Sequence, residues 1–325
     1  MAPDLILLFT NTTEYRRPKV FENILNGKKT VSNLFWGLEY GLLPELGMLH
    51  GKNIQIKPED IGNLIENKLV VTDESGAIKL TELGDQKQRQ LSQLLPPLLG
   101  DVTKSLRVNQ FKDRFLLASQ VTSEYSYQNT KYYPLSIQLF DSFVVKRWFQ
   151  VNKAQLPAAL LTPLTQYLTD LKPQLADIFA RELVGHENGG QTYQQLALEL
   201  QVTPEIVELI SLHLYTNFAD YLMNHSQNTL QPLVTDLWGD NWTTSSKQTY
   251  QLFINHHASI EQIAKQRQIR PSTVREHLLE AAIWLPVANF PYANILTNQN
   301  STTNNKEIEF FKFRLKQIYR SKVNE

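Results

Sequence analysis

Apolar residues recur at helical spacing through most of this 325-residue chain, and this periodicity restricts its fold more than any other feature. Proline often stands where a helix can begin. The amides in the first turn of a helix have no hydrogen-bond partner within the helix, so the missing amide hydrogen of proline costs nothing there. Such prolines are Pro18, Pro58, Pro134, Pro157, Pro163 and Pro173. A strand-like pattern is confined to residues 69–80. The sequence therefore predicts a mainly α fold with one small β-hairpin.

The first hundred residues follow the order of a winged-helix domain. Helices are predicted at residues 18–26 and 30–43, and a third begins at residue 58. Two short β-type runs separated by a turn then form a predicted hairpin at residues 69–80. Three helices followed by a hairpin predict a winged-helix-like domain at residues 1–100.

A second local signal lies in a predicted domain at residues 241–284. Ser259 is placed to cap a helix, and Gln262 three residues later completes a capping box. Small Ala264 allows two helices to cross closely, and Pro271 opens the next helix. These features predict a C-terminal helix-turn-helix, whose last helix can enter a DNA major groove.

A weaker copy of the same pattern occurs 67 residues earlier, inside a predicted helical domain at residues 101–240. Residues 192–211 repeat the cap and the turn glutamine, which indicates either a duplication or a chance likeness of two helix-turn-helix pairs. The copies differ in charge: Lys265, Arg267, Ser272 and Arg275 correspond to Leu198, Leu200, Glu205 and Glu208. Phosphate binding needs cations and hydroxyls. We therefore expect the earlier copy to pack or to bind protein.

The run from Ile260 to Leu278 resembles the helix-turn-helix at the C-terminus of some RecQ-family helicases. It is also similar to the C-terminal part of YpbB-like proteins of Gram-positive bacteria, which accompany a RecQ-like helicase. Segments at residues 27–30 and 133–148 resemble that second group more loosely. One departure is Gln268 at a turn position that glycine often holds. The resemblance implies an accessory protein that works with a RecQ-like helicase.

The candidate DNA-binding residues lie around the predicted turn. Lys265, Arg267 and Arg270 are expected at the phosphate backbone, and the next helix presents further groups to bases, namely Ser272, Thr273, Arg275 and Glu276. Residues 245–284 hold five Lys or Arg against three Glu, so the expected DNA affinity is weak and salt-sensitive.

A second possible DNA contact lies in the winged-helix-like domain. It consists of the basic residues Arg16, Arg17, Lys19, Lys28 and Lys29. Residues 14–84 as a whole carry nine basic and ten acidic residues, so a solvated helix end is the favoured interpretation of these charges.

Composition excludes several chemistries. The chain has no cysteine, which rules out disulfides, cysteine zinc sites, iron–sulfur clusters and thiol catalysis. The segment Gly27-Lys28-Lys29-Thr30 fails as a P-loop, because Glu22 stands where the earlier glycine is required. No helicase-motor motif is present. We expect no catalytic residue, no metal site and no cofactor, so the protein is not predicted to be an enzyme.

The C-terminal region is predicted to contain a flexible linker at residues 285–305 and a basic amphipathic tail at residues 306–325. The apolar stripe of the tail is expected to fold back on its own domain. No membrane association is expected, because no apolar run is long enough, and a cytoplasmic location is the simplest prediction.

The sequence thus predicts a non-catalytic DNA-binding accessory protein that acts with a RecQ-like helicase in DNA repair or recombination. Two alternatives stay open. One is a protein-interaction scaffold without DNA contact, which the zero net charge favours. The other is a helix-turn-helix transcription regulator, which would be a dimer on a palindromic site.

Overall fold

A computed structural model describes residues 3–225, 228–297 and 306–323, and it confirms the mainly helical fold. The N-terminal region contains α1 (Pro3–Phe9), α2 (Pro18–Leu25), α3 (Val31–Glu39), α4 (Pro58–Glu66), β1 (Val70–Thr72), β2 (Ile78–Leu80) and α5 (Glu82–Leu94). The helix predicted at residues 30–43 ends earlier, because Gly41 adopts a φ of 66° that no helix contains. The three helices α2, α3 and α4 and the antiparallel hairpin agree with the expected order, and the winged-helix assignment itself stays a prediction.

The middle region is built around buried aromatic rings. Its elements are β3 (Lys104–Leu106), α6 (Val108–Ser126), α7 (Leu139–Asn152), α8 (Leu156–Thr169), α9 (Pro173–Arg181), α10 (Tyr193–Leu200) and α11 (Pro204–Asn224). The ring centroids of Phe115 and Phe218 lie 5.1 Å apart, and those of Phe179 and Tyr215 lie 4.6 Å apart. All four side chains are fully buried, so α6, α9 and α11 share one core.

The C-terminal region contains β4 (Trp238–Asp240), α12 (Thr244–Asn255), α13 (Ile260–Arg267), α14 (Pro271–Trp284), α15 (Tyr292–Thr297) and α16 (Lys306–Val323). Strand β4 pairs antiparallel with β3, and Lys104 lies opposite Asp240. The Lys104 Nζ–Asp240 Oδ1 distance is 2.8 Å. This pairing connects the start of the middle region to the start of the C-terminal region.

Two hydrophobic cores cross the predicted domain boundaries. The first core joins α1 and α2 to the middle region. The second core is centred on α14 and α16, and it also takes in Leu34, Phe35 and Leu38 from α3. Helix α3 of the N-terminal region is therefore an integral part of the C-terminal core, and the boundaries at residues 100 and 241 do not separate independent packing units.

The linker predicted at residues 285–305 is wrong in its first part. Phe290 and Tyr292 are buried in the second core, and the Tyr292 hydroxyl donates to Ala282 O at 3.2 Å. Their aromatic area packs against α14 and therefore fixes residues 285–297 in place. The polar run at residues 298–305 lies outside the described residues.

Helix α16 lies against the second core through Phe311, Leu315 and Ile318, all of which are buried. None of the described helices combines the length and the apolar character needed to cross a membrane.

Candidate nucleic-acid interface

Local hydrogen bonds define the helix-turn-helix. The Ser259 hydroxyl accepts from Gln262 N at 3.2 Å, and Gln262 Oε1 accepts from Ser259 N at 2.8 Å, which is the predicted capping box of α13. Gln268 ends α13 in the left-handed region, with φ 54° and ψ 42°. Pro271 then begins α14. The predicted helix-turn-helix is therefore present, and glutamine adopts the conformation that glycine often supplies.

The two helices pack through small and branched side chains. Ile263 and Ala264 of α13 are buried together with Val274 and Leu278 of α14. The Ile269 amide donates to Ala264 O at 3.0 Å and closes the turn. This packing holds the beginning of α14 at the surface while its later turns enter the core.

The exposed end of the pair forms a polar surface that we call the α13–α14 tip. It consists of exposed or half-buried side chains around the turn: Lys265, Gln266, Gln268, Arg270, Ser272, Thr273 and Glu276. Lys265 and Arg270 are both exposed cations, and the α14 amino terminus adds the partial positive charge of its free amides. The tip can thus bind phosphate with cations and amides and can offer amides and hydroxyls to base edges.

Arg275 does not belong to this surface, contrary to the sequence prediction. Its side chain is buried, and Nη1 lies 3.3 Å from Glu307 Oε2 on α16. Helix α14 is covered by α16 on this side, so Arg275 is turned away from any DNA at the tip. The prediction that Arg275 reads bases is therefore wrong.

Arg267 is also engaged within the protein. Nη1 donates to Ser245 O at 2.7 Å, and Nη2 donates to Ser245 Oγ at 3.0 Å and to Gln248 Oε1 at 3.2 Å. Nη1 also donates to the Thr249 hydroxyl. These contacts connect α13 to α12, so Arg267 holds the helix-turn-helix together rather than facing a phosphate backbone.

Buried polar contacts connect α12 to α14 as well. Glu280 is buried in the middle of α14, and its Oε1 accepts from Thr243 N at 2.8 Å at the start of α12. Its Oε2 accepts from the Thr243 hydroxyl at 3.1 Å and from the Ser246 hydroxyl. A buried carboxylate without hydrogen-bond donors is costly, so any movement of α12 that broke these bonds would be unfavourable. The bonds therefore fix the angle between α12 and α14.

Three of the five predicted N-terminal cations, Arg16, Arg17 and Lys19, have partners within the N-terminal region. Arg16 Nη2 lies 2.9 Å from Glu14 Oε1, and Lys19 forms an ion pair with Glu22, so both charges are compensated. The guanidinium of Arg17 lies 5.0 Å from the Trp36 ring centroid.

Lys28 and Lys29 are both exposed. Although the Lys29 side chain reaches solvent, the protein atoms around it remove part of its hydration and lower its pKa, and the charges of Glu280 and Asp240 oppose that shift. Lys29 thus lies in the electrostatic field of the C-terminal region, close to where α12 begins.

The earlier copy has the same backbone plan without the cationic surface. Thr192 and Gln195 form a capping box, Gln201 is left-handed at φ 56° and ψ 40°, and Pro204 begins α11. Leu198, at the position of Lys265, is 82% exposed. Helix α11 is largely buried in the first core, as expected for a pair that packs rather than binds phosphate.

Sequence reasoning omitted Gln266 and Gln268 from the site. Both side chains are exposed beside Lys265. The signal that identifies them is their position at the end of α13 and directly after it, away from Ile263 and Ala264, which face the core.

Among residues 3–225, 228–297 and 306–323, no group of three or more His, Asp or Glu side chains could hold a metal ion.

The residues from α12 to α16 match a known family as a unit. The model of a helix-turn-helix domain family matches residues 245–321, which include the tip and α16. The chain therefore carries a helix-turn-helix domain at this end, and such a domain supports DNA binding. The match reaches further than the predicted domain at residues 241–284, because α15 and α16 complete the second core.

The chain is also similar to protein YpbB of Bacillus subtilis. The two are 24% identical over 176 residues, which are 53% of this chain and 50% of YpbB. The chain thus spans about half the length of this curated relative. No solved structure matches the chain. The predicted resemblance to YpbB and to a helix-turn-helix is confirmed at this level.

Proposed function

We propose that the protein is a non-catalytic DNA-binding accessory factor that acts with a RecQ-like helicase in DNA repair or recombination. The observation that carries the DNA-binding part is that the half-buried Ser272 and Thr273 of the first turn of α14 lie at the surface beside the exposed Lys265 and Arg270. In helix-turn-helix proteins, the amino-terminal residues of the second helix contact base edges. The helicase part rests on the resemblance of residues 260–278 to the helix-turn-helix of RecQ-family helicases.

The tip would bind duplex DNA with a division of roles. Lys265 and Arg270 would contact phosphates on either side of the turn, and the free amides of α14 would donate to an oxygen of a third phosphate. Ser272, Thr273 and Glu276 would then face the major groove, where a carboxylate accepts from the cytosine amino group.

The expected affinity follows from the number of cations at the tip. Two phosphate contacts give a salt slope of about −2, so binding should weaken about tenfold between 50 and 200 mM salt. Such weak contacts gain effect through tethering, because a bound helicase raises the effective concentration of DNA at the tip.

Fluorescence anisotropy with a labelled 25-base-pair duplex tests the DNA part. Lys265→Ala with Arg270→Ala should weaken binding and make it nearly independent of salt between 50 and 200 mM. The matched control is Lys265→Arg with Arg270→Lys, which keeps both charges and should retain the salt slope. Equal binding of wild type and the alanine double variant, or no wild-type binding at 50 mM salt, would refute the assignment.

Unwinding of a forked duplex by a purified RecQ-like helicase tests the second part. Wild-type protein should raise unwinding at limiting helicase, and the alanine double variant should not. If wild type binds DNA and leaves unwinding unchanged, the helicase role is wrong while DNA binding at the tip stands.

A protein-interaction scaffold is the second candidate, and two observations favour it. The tip carries little net charge, and α7 exposes large apolar side chains such as Leu139 and Phe143. Co-purification of a protein partner together with a lack of retention on DNA at low salt would select the scaffold. A transcription regulator stays a prediction, and light scattering that shows a monomer would count against it.

A further inference from the structure

Helix α7 turns one continuous face to solvent. Its exposed positions, which we call the α7 face, are Leu139, Phe140, Phe143, Lys146, Arg147, Gln150 and Val151. At about 100° per residue they fall within an arc of roughly 140°. The opposite side buries Val145 and Trp148 in the first core. The inner side of α7 therefore packs on the first core, and its outer face is also largely apolar.

The exposed area on this face is unusually apolar. Leu139 is 88% exposed, Val151 77%, Phe143 63% and Phe140 61%. Large apolar side chains that lie side by side at the surface mark sites that bind another molecule. Their spacing of three, four and eight residues along one helix matches the stripe with which helices pack on helices.

The charge on the α7 face is entirely positive. Lys146 and Arg147 are exposed, and within the part of the chain that the structure describes neither forms an ion pair with a carboxylate. The carboxylate of α7, Asp141, is 1% exposed and accepts from Arg114 Nε at 2.7 Å. The acidic group of this helix is thus turned inward, and the cations are turned outward.

Buried contacts hold the face in a fixed position. Arg114 is fully buried and also donates to Asp236 through Nη1 at 2.6 Å and Nη2 at 2.9 Å. Trp148 Nε1 donates to Thr229 O at 2.8 Å. A face held in this way binds a partner with little loss of conformational entropy.

We propose that the α7 face docks an amphipathic helix of a protein partner that carries carboxylates beside its apolar stripe. Leu139, Phe143 and Val151 supply the apolar seam, and the two cations select the acidic flank. This goes beyond the proposed function, since it requires neither DNA at the tip nor a helicase.

Two other occupants fit the face less well. In an antiparallel pair of two α7 helices the midpoints meet, and the midpoint lies between Val145 and Lys146. Such a pairing would bring the Lys146 and Arg147 cations of both copies together. Single-stranded nucleic acid binds by stacking its bases on aromatic rings. The two ends of the α7 face, about 18 Å apart, are instead formed by the aliphatic side chains of Leu139 and Val151, so a single strand fits this face less well.

A displayed library of 20-residue helical peptides, selected on the immobilised full chain, tests the proposal without assuming a partner. Peptides that also bind the Phe143→Asp variant are removed. Phe143 is 63% exposed, so this variant should fold, and circular dichroism checks that it does. The selected peptides should carry apolar residues at positions i, i+3 or i+4 and i+7, together with a net negative charge.

Anisotropy with the best selected peptide then tests the charges. The double variant Lys146→Glu with Arg147→Glu should bind the selected peptide at least tenfold more weakly than wild type does. The same double variant should bind a peptide in which lysines replace the carboxylates. The proposal is overturned by selected peptides without net negative charge, or by none that distinguishes wild type from Phe143→Asp. It is equally overturned if labelled oligo-dT of 20 nucleotides binds wild type and not Phe143→Asp. The same holds if light scattering shows a dimer of wild type that Phe143→Asp does not form.

Discussion

The burial of Arg275 predicts that two arginines only five residues apart have opposite roles. Arg270 is exposed at the tip, whereas Arg275 is 8% exposed and lies against α16. Arg275→Ala should therefore destabilise the C-terminal core and leave DNA affinity unchanged. Arg270→Ala should leave stability unchanged and weaken DNA binding.

The size of the Arg275 effect follows from its contacts. Truncation to alanine removes two buried methylenes, worth about 1.6 kcal/mol in lost burial. The Arg275–Glu307 ion pair adds less than about 1 kcal/mol, because the Glu307 side chain is 68% exposed to solvent. Arg275→Ala should thus lower the free energy of unfolding by about 2 kcal/mol. Arg275→Met retains the buried stem and should cost under about 1 kcal/mol.

Urea denaturation followed by intrinsic tryptophan fluorescence measures the effect, and Trp284, which is buried at the end of α14, contributes to that signal. A loss of about 2 kcal/mol moves the midpoint by roughly 1 M urea. Duplex anisotropy on the same samples, at a temperature where both variants are folded, measures the DNA affinity. Unchanged stability together with lost DNA binding in Arg275→Ala would show that this side chain faces DNA and that the packing described here is wrong.

Three further perturbations test the fold by urea or thermal denaturation. Arg114→Ala leaves the buried carboxylate of Asp141 without its cation and should cost about 3–5 kcal/mol, whereas Arg89→Ala removes a surface pair and should cost under about 1 kcal/mol. Gln268→Gly removes the left-handed strain and should stabilise by about 1 kcal/mol, and a lower melting temperature would contradict that conformation. Burial raises the pKa of Glu45 from 4.5 to about 7, so wild type loses stability as the pH rises through this range. Glu45→Gln should be more stable than wild type by up to about 3 kcal/mol at pH 8 and equal to it at pH 4.5, and an equal difference at both pH values would refute the shift.

The local backbone of the helix-turn-helix could be predicted from the sequence, because its signals act within one turn. Ser259 and Gln262 form their capping box between neighbours, and Pro271 marks the first turn of α14 by its missing amide. The left-handed Gln268 followed from the same register, although glycine is absent there. These features depend on residues at most a few positions apart.

The orientation of the arginines could not be predicted in the same way. Helical periodicity gives the relative directions of side chains on α14, but not which neighbours cover them. Arg275 is buried by α16, whose Glu307 is 32 residues away, and Arg267 contacts α12 across 22 residues or fewer. A count of cations in the segment therefore overestimated the charge that the surface offers to DNA.

The shared core of α3, α14 and α16 was hidden for a related reason. Leu34, Phe35 and Leu38 form an ordinary apolar stripe. Such a stripe predicts that α3 packs against something, but it does not indicate that the contacting helices lie more than two hundred residues away. Phe290 and Tyr292 were assigned to a linker because prolines and polar residues surround them, while their rings complete the second core.

Hydrogen–deuterium exchange with and without a 25-base-pair duplex tests the central claim most directly, because the chain contains both copies of the helix pair. DNA binding at the tip predicts slower exchange in amides 265–276 on addition of duplex and unchanged exchange in amides 198–209 of the earlier copy. Slower exchange in the earlier copy alone, or in neither segment while the duplex is bound, would contradict DNA recognition by the α13–α14 tip.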